Sequence, residues 1–275
     1  MGIKFNNIMT INNPVFSKIT NILVNSAKNK NFIVIVKKLL KRFEADTAQE
    51  SAQWAKENSI LIDDFCNKIN SAIWKESIDA CNKIKLESHK ILSNINYKLG
   101  GGGAYPLIYF YCRILNPDVV VETGVAAGWS SYAILESLRV NGNNGQLFST
   151  DFPYFRFKNP EQYIGSVVPE SIRNNWVLDI RGDKIAIPEI CEKVKNIDLF
   201  HYDSDKSYAG RLFAIQKIQK KLSSNSIVIF DDIQQNLFFK NLVEYLNCDY
   251  QVFAFEGKFV GTIQGSNFSS QEKIN

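Results

Sequence analysis

Three aspartates and one lysine have residue types and spacing that suit a cation site beside a base. Asp203 directly follows the largely apolar run 197–202, and Asp231 and Asp232 follow the run 227–230. If these runs form neighbouring parallel strands, their ends lie about 5 Å apart, and carboxylates so close repel each other unless a cation joins them. Oxygen ligands favour Mg²⁺, Mn²⁺ or Ca²⁺ over zinc. The alternative is that these aspartates cap the following helices.

Lys206 stands three residues after Asp203 and is the candidate general base. Beside a cation and partly removed from water, its pKa would fall, so that its amine could accept a hydroxyl proton. The alternative is a solvated surface lysine. His201 precedes Asp203 on the same run, and we expect it to be a buried core histidine rather than a base.

A glycine turn follows the β-branched run that begins at Val119. Gly124 and Gly128 form a G-x-x-x-G spacing, which differs from the G-x-G-x-x-G of dinucleotide-binding proteins. Glycines allow close approach of the backbone to a ligand, and the N-terminus of the next helix attracts a carboxylate or phosphate. Glu122, just before the turn, suits a ligand with an ammonium group and would repel a pyrophosphate. A plain tight turn is the alternative.

Polar residues after the next two predicted strands extend this candidate pocket. Asp151 stands 27 residues after Gly124, where an acceptor for a ribose diol belongs. Asp183 could face an adenine amino group, or could belong to a surface turn. Ser130 and Ser131 could bind a carboxylate or could cap the helix. The predicted ligand-binding set is Glu122, Thr123, Gly124, Gly128, Ser130, Ser131, Asp151 and Asp183.

Strands and helices alternate in the pattern after residue 100, which predicts a parallel sheet with both faces covered. Two apolar runs flanking Glu256 and Gly257 predict a hairpin, which would close the sheet with an antiparallel edge. The expected fold is a doubly wound, mostly parallel α/β sheet of seven strands. The predicted strands are 119–122, 146–151, 176–180, 197–202, 226–230, 250–255 and 258–263, and the helices include 105–115, 130–140 and 207–222.

Residues 14–98 show apolar positions at helical spacing and almost no Gly or Pro. The glycine run 100–103 ends that pattern, because four glycines hold a helix only at a high cost. We therefore predict an N-terminal helical extension over 1–99 and a second domain over 100–275. The extension would cover a substrate site or mediate dimerisation. Its apolar run 32–36 is too short to cross a membrane, and it predicts a docked helix or, alternatively, a membrane-surface helix.

The overall composition excludes several classes of protein. The 275 residues carry a net charge of +4, which is too small an excess to indicate nucleic-acid binding. Five cysteines without a C-x-x-C pair predict neither a disulfide framework nor a zinc site. Reduced thiols and the lack of a signal-peptide pattern lead us to expect a cytoplasmic protein.

The stretch Glu122-Thr-Gly-Val-Ala-Ala-Gly-Trp-Ser-Ser131 resembles the first motif of class I S-adenosylmethionine-dependent methyltransferases. It is most similar to the catechol and caffeoyl-CoA O-methyltransferase group, whose loop reads E-[LI]-G-x-x-x-G-Y-S. Asp203-Ser-Asp-Lys-Ser-Tyr208 resembles the D-A-D-K-x-N-Y segment of the cation-dependent caffeoyl-CoA enzymes. There the first Asp binds the metal and the Lys acts as base. Asp231-Asp232 stands where that group has Asp-Asn, and Asp-Asp is found in related sugar and macrolide O-methyltransferases, which have His in place of Lys206.

The resemblance covers roughly residues 100–265 and implies a Rossmann-like fold, S-adenosylmethionine and a divalent cation. It implies direct methyl transfer to a hydroxyl of a small natural product, sugar or phenol, with Asp203, Asp231 and Asp232 on the metal and Lys206 as base. One alternative is a non-catalytic module that binds an adenosyl nucleotide. Another is an N-methyltransferase acting on a small molecule or a macromolecule. The segment Asp203-Ser-Asp-Lys206 disfavours the latter, because nucleic-acid N-methyltransferases typically carry N/D-P-P-Y/F there.

Overall fold

A computed structural model of the chain describes residues 47–153, 158–268 and 274. The segment 14–46 of the predicted helical extension, with its apolar run 32–36, lies outside the described residues. The unit that the structure describes is α/β, with one mixed sheet covered by helices on both faces.

The sheet has eight strands in the order β1-β7-β8-β6-β5-β2-β3-β4. Neighbours from β6 to β4 run parallel, β8 is antiparallel to both β6 and β7, and β1 is parallel to β7. The expectation of a mostly parallel sheet with an antiparallel hairpin is thus confirmed. The strands are β1 (Ser59–Ile60), β2 (Val119–Thr123), β3 (Gln146–Thr150), β4 (Trp176–Asp179), β5 (Ile197–Tyr202), β6 (Leu222–Phe230), β7 (Tyr250–Phe255) and β8 (Lys258–Gln264).

Seven α-helices accompany the strands within the described ranges. They are α1 (47–57), α2 (Ile62–Leu92), α3 (Tyr105–Leu115), α4 (Trp129–Asn141), α5 (Asp183–Lys193), α6 (Tyr208–Ile218) and α7 (Phe238–Leu246). None of the helices in these ranges is long and apolar enough to cross a bilayer.

Alternation along the central strands divides the core between the two faces of the sheet. Val120 packs with α2, α3 and α4 on one face, and Val121 packs with α5, α6 and α7 on the other. Leu199 and Phe200 of β5 divide in the same way. Because successive side chains of a strand point to opposite faces, an unbroken apolar run fits a sheet buried on both sides.

The edge of the sheet and the number of its strands differ from the prediction. The hairpin β7–β8 does not end the sheet, because Ser59 and Ile60 pair in parallel with Val252 and Phe253 and add an eighth strand. A two-residue strand is too short to show a period of two, so its sequence carries no strand signal.

The segment 62–92 shares a hydrophobic core with α3 and α4. Trp74 packs edge-on against Phe110, with ring centroids 5.8 Å apart, and Glu76 accepts hydrogen bonds from Tyr109 Oη at 3.0 Å and Arg113 Nε at 2.6 Å. The helix changes direction at Asn70, whose backbone is extended and whose Oδ1 accepts a hydrogen bond from the Ile73 amide at 3.0 Å. The domain boundary at residue 100 stays a prediction.

Strand order reverses between β2 and β5, since β3 and β4 lie to one side of this pair and β6 to the other. At such a point the connections leave the sheet in opposite directions, and a crevice opens beyond the carboxyl ends of the strands. Residues 124 and 203, which follow these two strands, therefore flank the crevice.

Candidate functional site

A cavity of about 890 Å³ lies at this edge of the sheet. One part of its wall comes from the glycine turn and the residues after β3 and β4, and another part comes from the segments after β5 and β6. Six residues singled out in the sequence line it: Gly124, Asp151, Asp183, Asp203, Lys206 and Asp232.

Gly124 brings the turn after β2 against the segment after β5. Its φ is +81°, and a Cβ at this position would lie 2.6 Å from the carbonyl carbon and oxygen of Asp203. Its amide donates to Thr150 O at 2.8 Å, which ties the turn to β3. Both the left-handed backbone and the lack of space require glycine here.

Gly128 precedes α4 with φ +99°, and a Cβ there would lie 2.8 Å from the Cα of Gly165. Between the two glycines, the amide of Ala126 donates to Asp151 Oδ2 at 2.6 Å. Asp151 also accepts from the amide of Phe152 at 2.6 Å, and burial raises the pKa of its carboxyl. Asp151 thus holds the turn in shape while lining the cavity.

Asp183 begins α5 and links two strand ends. Its Oδ1 accepts from Thr150 Oγ1 at 2.9 Å, and its Oδ2 accepts from the hydroxyl of Ser204. Burial raises the pKa of this carboxyl as well. A carboxyl with internal donors and a face in the cavity can still accept from a ligand amino group or hydroxyl.

Glu122 lies behind the turn, fully buried and outside the cavity wall. Its Oε2 accepts from Ser131 Oγ at 2.5 Å and Ser149 Oγ at 2.8 Å, and its Oε1 lies 3.6 Å from His201 Nδ1. Burial alone would raise the pKa of Glu122, but His201 and the hydroxyls of Ser130 and Ser131 lower it below its usual value.

These contacts give the polar residues of the turn internal partners. Gly128 is the N-cap of α4 and no side chain caps that helix, so the capping role considered for Ser130 and Ser131 is not observed. The hydroxyl of Thr123 accepts from the Asp203 amide at 3.2 Å. Their predicted contacts with a ligand stay predictions.

Asp203, Asp231 and Asp232, here called the acid cluster, come together as predicted. One carboxylate oxygen from each lies within 4.8 Å of the others. The register of β5 and β6 brings this about, because Tyr202 pairs with Phe230 and Asp203 and Asp231 directly follow these two residues.

The acid cluster has a donor set that fits a hard divalent cation. Asp231 and Asp232 are buried, and Asp231 Oδ1 has no hydrogen-bond partner among the described residues. Three carboxylates and one unpartnered buried oxygen match the oxygen ligation that Mg²⁺, Mn²⁺ and Ca²⁺ prefer.

Lys206 lies at the centre of this cluster. Its Nζ contacts Asp203 Oδ1 and lies 3.2 Å from Asp232 Oδ2 and 4.0 Å from Asp231 Oδ2. Burial lowers the pKa of Lys206, although Asp231 and Asp232 act in the opposite direction. A lysine with a lowered pKa beside a cavity is suited to accept a proton.

Sequence reasoning missed two cationic residues at the cluster. Lys258 Nζ lies 3.4 Å from Asp231 Oδ2 and 3.3 Å from Asp232 Oδ1. Arg211 is fully buried, and its Nη2 donates to the main-chain oxygens of Asp231 at 3.1 Å and Asp232 at 2.8 Å. Lys258 stands 26 residues after Asp232, Arg211 stands 20 residues before Asp231, and neither belongs to a motif.

The glycine run 100–103 also belongs to the site, although its sequence predicts only a boundary. Gly100 and Gly101 line the cavity. Gly103 has φ +56°, and a Cβ on it would lie 3.3 Å from Asp231 Oδ2. The run therefore passes over the acid cluster with no side chain between backbone and carboxylate.

Residues 121–233 match a family described as a methyltransferase domain. Similar solved structures include a methyltransferase from Geobacter sulfurreducens, at 12% identity and TM-score 0.49, covering 66% of this chain and 90% of that one. Another is the methyltransferase PaMTH1 from Podospora anserina bound to SAH, at 15% identity and TM-score 0.48, covering 79% and 94%. A third is the O-methyltransferase TomG from Streptomyces achromogenes, involved in tomaymycin synthesis and solved with SAM, at 14% identity and TM-score 0.46, covering 67% and 89%.

No curated protein matches the chain. The matched family begins inside β2 and ends just after Asp232, so it contains both the glycine turn and the acid cluster. Over residues 121–233 the chain is thus similar to a methyltransferase domain, in agreement with the resemblance to methyltransferases seen in the sequence.

Proposed function

We propose that the chain is an S-adenosylmethionine-dependent O-methyltransferase that methylates a hydroxyl of a small molecule with the help of a divalent cation, Mg²⁺ being the expected ion. The observation that carries the proposal is the meeting of two half-sites in one cavity. Gly124 of the glycine turn lines the same space of about 890 Å³ as Lys206 and two members of the acid cluster, Asp203 and Asp232.

The half of the cavity around the glycine turn would bind the methyl donor. Asp151 would accept the ribose hydroxyls, and Asp183 would accept the adenine amino group. The α4 N-terminus would attract the donor's carboxylate, because the first amides of an α-helix have no partner within the helix. Gly124 would allow the donor to approach the backbone closely.

The half around the acid cluster would bind the acceptor. Lys206 would accept the hydroxyl proton at Nζ while the acceptor oxygen bonds to the methyl carbon. The carbon–sulfur bond breaks at the same time, and its electron pair neutralises the sulfonium. A cation held by Asp203, Asp231 and Asp232 would supply Lewis acidity that lowers the pKa of the acceptor hydroxyl.

The size of the cavity supports a small acceptor. Ligand pockets for small molecules commonly measure about 300–1,000 Å³, and the volume here falls within that range while serving both donor and acceptor. We propose a natural product, a sugar or a phenol as the acceptor class.

Calorimetry of S-adenosylhomocysteine with and without Mg²⁺ tests the donor half, and transfer from radiolabelled S-adenosylmethionine to a panel of phenols and sugars tests the acceptor half. We expect Asp231→Ala to abolish turnover, by more than about 100-fold, while S-adenosylhomocysteine still binds. Asp205→Asn is the matched control, because this carboxylate stands near the cluster in sequence but is not a member of it. It should retain turnover.

The outcomes separate the parts of the proposal. Absence of S-adenosylhomocysteine binding under all conditions would overturn the methyltransferase assignment. Full activity in chelator would exclude the role of the cation. Binding without transfer to any acceptor would favour the adenosyl-nucleotide-binding module instead.

A further inference from the structure

Lys258 is a charged residue at the acid cluster that the proposed reaction does not use. It is the first residue of β8 and follows the turn at Glu256 and Gly257. Its Nζ contacts the two buried carboxylates of Asp231 and Asp232 at 3.4 and 3.3 Å, while 40% of its side chain stays exposed. In the sequence Lys258 follows all three aspartates of the cluster, whereas Lys206 stands between Asp203 and Asp231.

The cluster needs cations even when no metal is bound. A buried carboxylate without a partner is costly, because the protein replaces little of its lost hydration. The Asp231 side chain is only 1% exposed. Lys206 and Lys258 together offset two of the three carboxylate charges.

A divalent cation on the acid cluster would use the same carboxylates that Lys258 contacts. Its charge would then repel the ammonium of Lys258 at a separation of a few ångströms. Lys206 is more enclosed, at 23% exposure, and it also contacts Asp203. Lys258 has the more exposed side chain and makes ion pairs with only Asp231 and Asp232 among the described residues, so it is the lysine that can withdraw into water.

We propose that Lys258 is a resident counter-ion of the acid cluster, which competes with the divalent cation for Asp231 and Asp232. This inference rests on the cation role in the proposed function. Lys258 then has a positioning role. Without metal it holds the buried carboxylates in place, and its competition sets the cation concentration that is needed for metal binding.

Manganese binding to the purified full chain tests the competition, with calorimetry or electron paramagnetic resonance as the readout. Lys258→Met keeps the apolar stem but removes the charge, and we expect Mn²⁺ to bind about tenfold more tightly to it than to wild type. Lys258→Arg keeps the charge and should leave the affinity near that of wild type.

Two further measurements distinguish counter-ion competition from a general effect of charge. Lys184→Met removes an equal charge from the wall of the same cavity, and Lys184 makes no ion pair with the cluster in the described part of the chain. Lys184→Met should change the Mn²⁺ affinity by less than about twofold, because exposed charges are screened by salt. In chelator, Lys258→Met should melt below wild type, and saturating Mn²⁺ should narrow that gap.

Equal or weaker Mn²⁺ binding by Lys258→Met overturns the inference. Absence of Mn²⁺ binding to both proteins overturns both the competition and the cation role, while S-adenosylhomocysteine binding in the same samples reports separately on the methyl-donor site. If Lys258→Met does not fold, Lys258→Gln, which keeps a hydrogen-bond donor, repeats the comparison.

Discussion

Glu122 joins four elements of the fold through one buried carboxylate. It stands on β2 and accepts hydrogen bonds from Ser131 on α4 and Ser149 on β3, and it faces His201 on β5. Trp176 on β4 extends the network by donating to Ser149 Oγ at 2.9 Å. The carboxylate is therefore positioned to hold the glycine turn from behind.

We expect Glu122→Gln to lower the free energy of unfolding by about 1–3 kcal/mol, because buried donors would lose a charged acceptor. Since the pKa of Glu122 is lowered in the folded state, its contribution is present above the unfolded pKa of about 4.3 and is lost as pH falls through the folded pKa. The difference between wild type and variant should therefore narrow in acid, as measured by urea unfolding at several pH values.

Glu170→Gln is the matched control for this experiment. The Glu170 side chain is 91% exposed and pairs with Arg173 at 3.4 Å. An exposed pair contributes little, about 0–1 kcal/mol, so this variant should remain close to wild type. If the difference in unfolding free energy between wild type and Glu122→Gln did not change with pH, the charge of this carboxylate would not be what stabilises the fold.

Among the connecting elements, the glycine run 100–103 packs closely against both α4 and the acid cluster. A Cβ on Gly102 would lie 2.7 Å from Trp129 Cβ, and one on Gly103 would lie 3.3 Å from Asp231 Oδ2. The run is thus wedged between α4 and the acid cluster. Gly102 is required for space, and Gly103 is required for its positive φ.

Gly103→Ala should destabilise the protein by about 1–2 kcal/mol, because alanine is strained at positive φ. It should also weaken Mn²⁺ binding several-fold by displacing the Asp231 carboxylate, while S-adenosylhomocysteine affinity is retained. Thermal unfolding and calorimetry measure the two effects.

Gly142→Ala is the control that separates the effect of backbone strain from the effect of contact with Asp231. Gly142 also has positive φ, at +70°, but a Cβ there meets no atom within 4 Å. The two variants should lose similar stability, and only Gly103→Ala should lose cation affinity. Equal Mn²⁺ affinity in both would show that the run does not shape the acid cluster.

On the scale of the whole molecule, one cavity takes its walls from segments far apart along the chain. Gly100, Asp151, Asp183, Lys206 and Lys258 all line it. A ligand in this cavity contacts the folded arrangement and has no comparable site in the unfolded chain. Ligand binding should therefore stabilise the whole described fold.

We expect S-adenosylhomocysteine at 100 times its Kd to add about 2.7 kcal/mol to the free energy of unfolding, or about 5–10 °C in Tm for a chain of this size. ATP at the same concentration is the control, because it carries the same adenosine group but has phosphates in place of the methyl-donor chain. An equal shift with ATP, measured by scanning calorimetry, would argue against selectivity for an adenosyl donor without phosphates.

Local patterns alone determined most of the elements and the half-sites of this protein. The bounds of α3, β5 and β7 agree with the sequence prediction, and the turn glycines and the acid cluster lie at strand ends as expected. Periodicity and the special backbone freedom of glycine act over a few residues, so a single sequence displays them directly.

Only the tertiary structure decided which distant residues meet. The sheet order places β8 beside β6, which brings Lys258 to the acid cluster. Arg211 reaches the cluster from α6, and the glycine run before α3 passes over Asp231. It also decided that Glu122 supports the turn from within the core. Such contacts depend on strand order, register and side-chain reach, and none of these leaves a periodic signal along the chain.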